Sequence, residues 1–566
     1  MAAHEFDWVI RNGRLVDGSG EPARDGDLAL RDGRIAAVGA FEGGGEHEFD
    51  AAGQVVAPGF VDIHTHYDAQ VFWDRMLTIS PWHGVTTVVM GNCGFGVAPT
   101  RAEHRELVLR TLEKVEGMSF DALAAGLGED WPFETFPEYL DAIEQRGTAI
   151  HVAALVGHTP VRLYVMGEES TERAATSDEV ARMRAIVREA LDAGAVGFAT
   201  SKSPTHVGFA GRPVPSRASE LDEIRALAGA LGEAGRGVMQ ATVGPGFFVE
   251  QLGAIAKETG RTVSWTALLA GALGPDGHRG VLERTLEQQR SGLEVVPQVS
   301  CRPLNFEFQW KEPFPFESMK VFRPVSAADQ EEKLRLYADA GFRKRFREST
   351  DAGLGRALSA WWERTVIVSC PTDPSLEERP LTVVAAERGR HPLDLALDLG
   401  LESKLEARFR VAILNTDEDA VAELLTAPHA VLGLSDAGAH ASQLCDACFS
   451  THLLGHWVRE KRVLALEQAV RMLTSRAAEV FGLEDRGRLQ LGLPADLVVF
   501  DPQTVGASEL RRVCDLPAGA DRLVSEAVGV DAVIVGGTPI RRDGRDVVDA
   551  EGPLPGRLLR AGCAPA

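Results

Sequence analysis

Pro58-Gly59-Phe60-Val61-Asp62-Ile63-His64-Thr65-His66 is the stretch from which the fold is read. The Pro-Gly pair ends what precedes it, and Phe60-Val61-Asp62-Ile63 reads as a short strand running into two histidines. Residues two apart in a strand face the same side. His64 and His66 therefore point together, while Ile63 and Thr65 face the other way. Two inward imidazoles at the C-terminal end of a strand can grip one divalent ion; the alternative is two histidines packed in a polar interior.

Downstream, seven further apolar runs share this strand-like character: 86–90, 150–155, 196–199, 237–240, 262–265, 294–297 and 431–434. Amphipathic helical stretches separate them, such as Ser177 to Ala193 and Ser219 to Ala234. Strands alternating with helices predict an α/β fold with a parallel sheet, and eight of them predict a closed (β/α)₈ TIM-like barrel with its chemistry where the strands end. The barrel is expected over 59–480. An aromatic and basic segment at about 303–365 is too long for a simple loop and reads as an insertion able to cover the barrel mouth. Residues 1–58 and 481–566 carry short apolar runs broken by Asn12-Gly13, Asp32-Gly33 and Gly536-Gly537, the marks of hairpins. They predict a small β-sandwich domain built from both termini.

The chain has 566 residues, 45% hydrophobic and 25% charged, the balance of a globular protein of two or three domains. Its net charge of −23 disfavours nucleic acid and anionic membrane as partners, since both require basic surface. Seven scattered cysteines make no disulfide framework. No basic, apolar leader opens the sequence, and no apolar run approaches the roughly 18 residues of a membrane span, so a cytoplasmic location is expected.

Two more segments carry chemistry. In Leu434-Ser435-Asp436-Ala437-Gly438-Ala439-His440, after the eighth strand, Asp436 can bind metal and move a proton, or cap the next helix. His440 is a neighbour of the site or a loop histidine. In Met90-Gly91-Asn92-Cys93-Gly94, after the second strand, Cys93 is either a ligand or an inert buried thiol. The Cys445-Asp446-Ala447-Cys448 spacing stands alone and reads as a helix turn with buried thiols.

These motifs resemble the amidohydrolase superfamily and, within it, the D-aminoacylase (N-acyl-D-amino-acid deacylase) family. The resemblance runs nearly the whole chain. It includes Ile10-Arg11-Asn12-Gly13-Arg14-Leu15-Val16-Asp17-Gly18, the paired histidines, Gly91-Asn92-Cys93-Gly94 and Leu155-Val156-Gly157-His158. It continues through Gly211-Arg212-Pro213-Val214-Pro215-Ser216, Leu434-Ser435-Asp436-Ala437-Gly438, Met472-Leu473-Thr474-Ser475 and Gly492-Leu493-Pro494-Ala495-Asp496. The family implies a zinc-type site. His64 and His66 match its strand-one histidines, Cys93 its cysteine ligand, and Asp436 its catalytic aspartate.

The chain departs from the family where strands five and six end. The family supplies a histidine from each, whereas Val238-Met239-Gln240-Ala241-Thr242-Val243 and Val263-Ser264-Trp265-Thr266-Ala267 contain none. Two missing imidazoles argue against a two-metal arrangement, leaving one Zn²⁺ held by His64, His66, Asp436 and Cys93 as the expected cofactor. Lys202, His158, His206, Gln240 and Arg302 are candidate substrate contacts, with Lys202 or Arg302 placed to receive a carboxylate.

The resulting expectation is a metal-dependent hydrolase cleaving a C–N (amide) bond of a small N-acylated compound that bears a carboxylate. The alternatives are hydrolysis of a cyclic amide, carbamate or natural product, and a metal-poor barrel that binds a ligand without catalysis. Homo-oligomerisation is left open.

Overall fold

The computed structural model describes residues 5–317, 319–351 and 361–561. Eight parallel strands form one sheet in chain order: Phe60–Asp62, Val85–Met90, His151–Gly157, Gly197–Ser201, Val238–Thr242, Val263–Thr266, Val295–Val299 and Val431–Leu432. The first and last meet just beyond their ends, where Thr65 bridges Ala437 in parallel and the His66 amide donates to the Ala437 carbonyl at 2.7 Å. That junction closes the (β/α)₈ barrel.

The strands are buried along their whole length, as near-continuous apolar runs require when helices cover a parallel sheet. The helices have the expected start signals. Ser177–Asp192 begins with a capping box in which Thr176 and Glu179 satisfy each other's free amides, an arrangement contributing about 1 kcal/mol.

A nine-stranded sheet joins the two ends of the chain. Val55–Pro58 pairs antiparallel with Leu497–Phe500, which pairs in turn with Val530–Val535. Asp32-Gly33 makes the expected hairpin turn, both residues at positive φ. Asn12-Gly13 does not. Phe6–Leu15 is a single strand carrying a bulge there, because Arg24–Arg31 pairs with it on both sides of Asn12. The same left-handed Asn conformation that serves a turn serves the bulge.

The expected insertion at about 303–365 reaches further. Its sheet starts with Leu304–Gln309 and takes later strands from Thr365–Ser369, Arg379–Pro380 and Arg408–Leu414. It has its own aromatic core, centred on Trp310, Phe316, Phe322, Phe346 and Phe409. At its inner edge the Phe306 and Phe314 rings pack edge-on against His440, with centroids 5.4 and 5.1 Å away. The added unit therefore touches the loop that follows the eighth strand.

Candidate metal centre

The period-two geometry of the first strand persists past its last ladder residue. Thr65 turns outward, its hydroxyl donating to the Val89 carbonyl at 2.9 Å, while His64 and His66 sit with ring centroids 5.3 Å apart. Cys93 arrives from the second strand through a tight reversal. Gly91 has φ 86°, and a Cβ there would lie 2.2 Å from the Leu155 carbonyl oxygen. Cys93 itself is left-handed at φ 58°, and Gly94 at φ 72° lets the backbone pass close to Thr200. A non-glycine residue held in that region costs about 1–3 kcal/mol and persists where its surroundings impose it. Here the turn carries the thiol to the histidines.

The donor atoms of His64, His66 and Cys93 all lie within 4.8 Å of one another. Cys93 Sγ is 3.5 Å from His64 Nε2. Asp436 reaches over the group from the last strand: its Oδ1 is 3.3 Å from His64 Nε2 and 3.7 Å from His66 Nε2. It is the most open of these groups, its side chain 20% exposed against 1% for His64, which makes it the one able to meet a substrate. The loop that aims it is strained in the same sense as the cysteine turn, with Leu434, Asp436 and His440 all at positive φ. Gly438 is required there, since a Cβ would lie 2.6 Å from the His66 carbonyl oxygen.

The charges interlock. Burial alone would push the Cys93 thiol up, but the facing His64 and His66 imidazoles bring it down to about 7. Burial also opposes ionisation of Asp436, yet His66 and His64 hold its carboxyl well below the usual carboxylate range. His66 is raised well above 6.5 despite burial, by Glu116, Asp436 and Cys93. Burial raises Asp62, beneath the cluster, to about 7.

Behind each imidazole stands a polar group facing its other nitrogen, hydrogen-bonded for His64 and at ion-pair distance without a hydrogen bond for His66. His64 Nδ1 is 2.7 Å from Gln298 Oε1, and Gln298 is held by the Ser264 hydroxyl at 3.0 Å. His66 Nδ1 is 3.3 Å from Glu116 Oε1. Metal-binding histidines are oriented in this way, the outer nitrogen against a carboxylate or amide oxygen and the inner one free for the ion. Glu116 escaped the sequence reading. It ends the helix Arg105–Glu116 just before Gly117, and no local pattern marks a buried carboxylate there.

The ends of strands five and six, empty of histidine, carry an uncharged network instead. Gln240 Oε1 accepts the Cys93 amide at 2.7 Å, Gln240 Nε2 donates to Thr266 Oγ1 at 3.4 Å, and Thr266 donates to Thr242 at 3.1 Å. Gln240 is thus at the cluster, holding the cysteine turn through its backbone.

The remaining sequence candidates are placed as follows. His206 lies beside the cluster: its Nδ1 meets the Ser201 hydroxyl at 2.7 Å and its ring packs on Phe95 at 4.9 Å, with Phe95 6.3 Å from His66. Burial pushes it down to about 3, so it is neutral. His158 is fully buried, with Nδ1 on Thr200 at 2.8 Å and Nε2 on Glu223 at 2.8 Å, leaving neither nitrogen for a ligand. The Lys202 ammonium donates to the carbonyls of Arg217 and Ser219 at 2.7 and 2.6 Å. Arg302 is paired with Asp446 at 2.7 Å. Cys445 and Cys448 are buried free thiols, Cys448 preceding the helix Phe449–His452.

Two histidines and a thiolate-prone cysteine converging on one point, under a carboxylate, fit a zinc-type ion. Among the described residues the buried Asp62 Oδ2, Glu116 Oε2 and His66 Nδ1 have no hydrogen-bond partner, a cluster of unsatisfied polar atoms that fits a site built around an ion.

Comparison with known proteins agrees with this geometry. Residues 47–541 match the model of the amidohydrolase family. A D-aminoacylase from Alcaligenes xylosoxydans xylosoxydans is 31% identical over 542 residues, covering 94% of this chain and 94% of its own. An N-acyl-D-aspartate deacylase from the same organism is 31% identical over 517 residues, covering 89% and 87%. Among solved structures, a D-aminoacylase studied for its binuclear metal centre superposes with a TM-score of 0.69 at 26% identity, covering 98% of this chain and 100% of that one. The N-acyl-D-glutamate deacylase of Bordetella bronchiseptica, complexed with zinc and a phosphonate mimic of the tetrahedral intermediate, gives 0.68 at 28% identity, covering 98% and 100%. With matches of this extent in both sequence and structure, the chain belongs to the amidohydrolase family, in its D-aminoacylase branch.

Proposed function

We propose that this protein hydrolyses the amide bond of small N-acyl-D-amino acids, using one zinc-type ion. The observation that carries the reading is the convergence of His64, His66 and Cys93 within 4.8 Å beneath the Asp436 carboxylate. His64, His66 and Cys93 would hold the ion, with Asp436 at its open side. When bound, such an ion supplies Lewis-acid polarisation and makes water acidic enough to ionise near neutral pH.

The residues of the chain do the rest. Asp436 is ionised at neutral pH and its Oδ1 faces the inner nitrogens of both histidines from the more open side, so it takes the proton of the attacking water. It then returns that proton to the amide nitrogen, because an amine leaves poorly unless protonated. Gln298 holds the His64 ring by a hydrogen bond, and the Glu116 carboxylate faces the outer nitrogen of His66. His206, neutral and packed at a tilt against Phe95, lies beside the cluster on the side of strand four.

The number of ions is read from the Gln240–Thr266–Thr242 network, which stands where the family places two further imidazoles and offers only weak neutral donors. The relative described by one-metal activation and second-metal attenuation supports the same reading. The test is a panel of N-acyl D- and L-amino acids and cyclic amides, assayed with zinc and after chelation, beside elemental analysis. Cleavage of the D-series that is lost on chelation and restored by about one equivalent of zinc is expected. A protein that binds no zinc and cleaves none of the panel overturns the hydrolase reading in favour of a non-catalytic barrel.

A further inference from the structure

The uncharged network at the ends of strands five and six has a direction. Val238–Thr242 and Val263–Thr266 pair in register, Gln240 beside Ser264 and Thr242 beside Thr266. Gln240 and Thr242 are two residues apart, as are Ser264 and Thr266, so the four side chains share one face of the sheet. That face is the barrel interior. Gln240 meets the Cys93 amide there, and Ser264 meets Gln298, which holds His64.

Each hydrogen bond in the group can run only one way. A backbone amide only donates, so the Cys93 N–H gives its hydrogen to Gln240 Oε1 at 2.7 Å, and this fixes which end of the carboxamide is oxygen. Gln240 Nε2 then donates to Thr266 Oγ1 at 3.4 Å. The Thr266 hydroxyl has to send its own hydrogen elsewhere, and it goes to Thr242 Oγ1 at 3.1 Å. Thr242 therefore receives a hydrogen bond and keeps one hydrogen to give. Among the described residues, none accepts it.

The chain of donors also leads outward. Gln240 is wholly buried, Thr266 is 2% exposed, and Thr242, the last residue of its strand, is 9% exposed. Bonds aligned head to tail polarise one another by about 10–30% each, so the terminal hydroxyl donates more strongly than an isolated threonine.

Its place suits a reacting group. In a closed barrel of eight strands, strand five stands opposite strand one, so Thr242 faces the side from which His64 and His66 come. Its register partner on strand four is Ser201, whose hydroxyl meets His206, and His206 packs on Phe95 beside His66. When water adds to an amide carbon, negative charge grows on the carbonyl oxygen. A donor already aimed at that oxygen stabilises it without reorganising. A hydroxyl suits this task because it gives a hydrogen bond and keeps its proton throughout.

We propose that Thr242 is a catalytic residue, the donor to the carbonyl oxygen of the scissile amide as the tetrahedral intermediate forms. Gln240 and Thr266 are the positioning residues that set its direction. The assignment rests on the hydrolase reading above and adds a residue to that site.

The experiment compares zinc-loaded wild type, Thr242→Val and Thr242→Ser on an N-acetyl-D-amino acid, and measures binding of its phosphonate analogue by calorimetry. Thr242→Val keeps the shape and loses the donor, so kcat should fall about 100-fold with KM and zinc content little changed. Thr242→Ser should keep most of the activity. Thr266→Val should lower kcat by less, and adding it to Thr242→Val should cost nothing further, since the two act through one hydroxyl. Melting temperatures check folding, and Thr242→Ala replaces the valine variant if that one does not fold. Normal kcat without the hydroxyl, a loss confined to KM, or a serine variant as slow as the valine one overturns the proposal. If wild type cleaves no N-acyl amino acid, the hydrolase reading has failed by itself, and the phosphonate decides the donor. Affinity that drops in Thr242→Val and returns in Thr242→Ser supports it; equal affinity, or no binding to wild type, overturns it.

Discussion

Asp436 and Glu116 are both carboxylates beside the same imidazole, yet they do different work because one is open and the other closed. Asp436 is a fifth exposed and faces the inner nitrogens of both histidines. Replacing it with alanine should lower kcat by about 10²- to 10⁴-fold, the usual worth of a positioned proton-transfer group, with the melting temperature kept within a few degrees. Normal kcat in that variant would remove it from the reaction. Glu116 is buried on the outer nitrogen of His66 and has no route to substrate. Its change to glutamine keeps the shape and removes the charge, and zinc affinity should drop by about 10- to 100-fold in competition with a chromophoric chelator. Unaltered affinity would mean that His66 orients itself.

At the scale of elements, the site is delivered by two unusual turns rather than by the strands alone. The Gly91–Gly94 reversal and the Leu434–His440 loop between them contain four non-glycine residues in left-handed backbone: Cys93, Leu434, Asp436 and His440. Gly91 is where this can be tested. Alanine there meets the Leu155 carbonyl at 2.2 Å besides adopting an unfavourable φ. Gly91→Ala should cost about 2 kcal/mol or more in urea unfolding and weaken zinc binding in parallel. Loss of stability with intact zinc affinity would show that the turn does not aim Cys93.

The molecule as a whole locks its β-domain to the barrel through buried polar groups, and these make it sensitive to acid. His83 is wholly buried, with Nε2 donating to the Ser525 carbonyl at 2.9 Å and Nδ1 on Thr451 at 2.7 Å. Burial lowers it from an ordinary 6.5 to about 3. Between those two values the unfolded chain binds a proton that the folded chain refuses, so stability falls as pH drops through that window. The slope from this one group is at most about 1.4 kcal/mol per pH unit. Unfolding free energies measured from pH 7 to pH 4 should show the decline, and His83→Gln should flatten it by one proton. An equal slope in the variant would assign the acid sensitivity elsewhere. Asp496 adds to the decline in the same direction. It accepts from His151 at 2.9 Å and from the Gly536 amide at 2.8 Å and pairs with Arg486, and these partners hold its carboxyl far below the usual range despite burial.

What the sequence determined by itself is what short-range periodicity encodes. The two-residue repeat put His64 and His66 on one side, and eight apolar runs foretold eight parallel strands. The relation between distant residues was decided by the closed barrel. Glu116 meets His66 across 50 positions and Gln298 meets His64 across 234, and neither pairing leaves a trace in local composition. Lys202 looked free to receive a carboxylate because a sequence does not show which carbonyls a folded loop will turn toward an ammonium. Periodicity is local and survives in one dimension; hydrogen-bond satisfaction and charge pairing are settled only when every surrounding group has been placed.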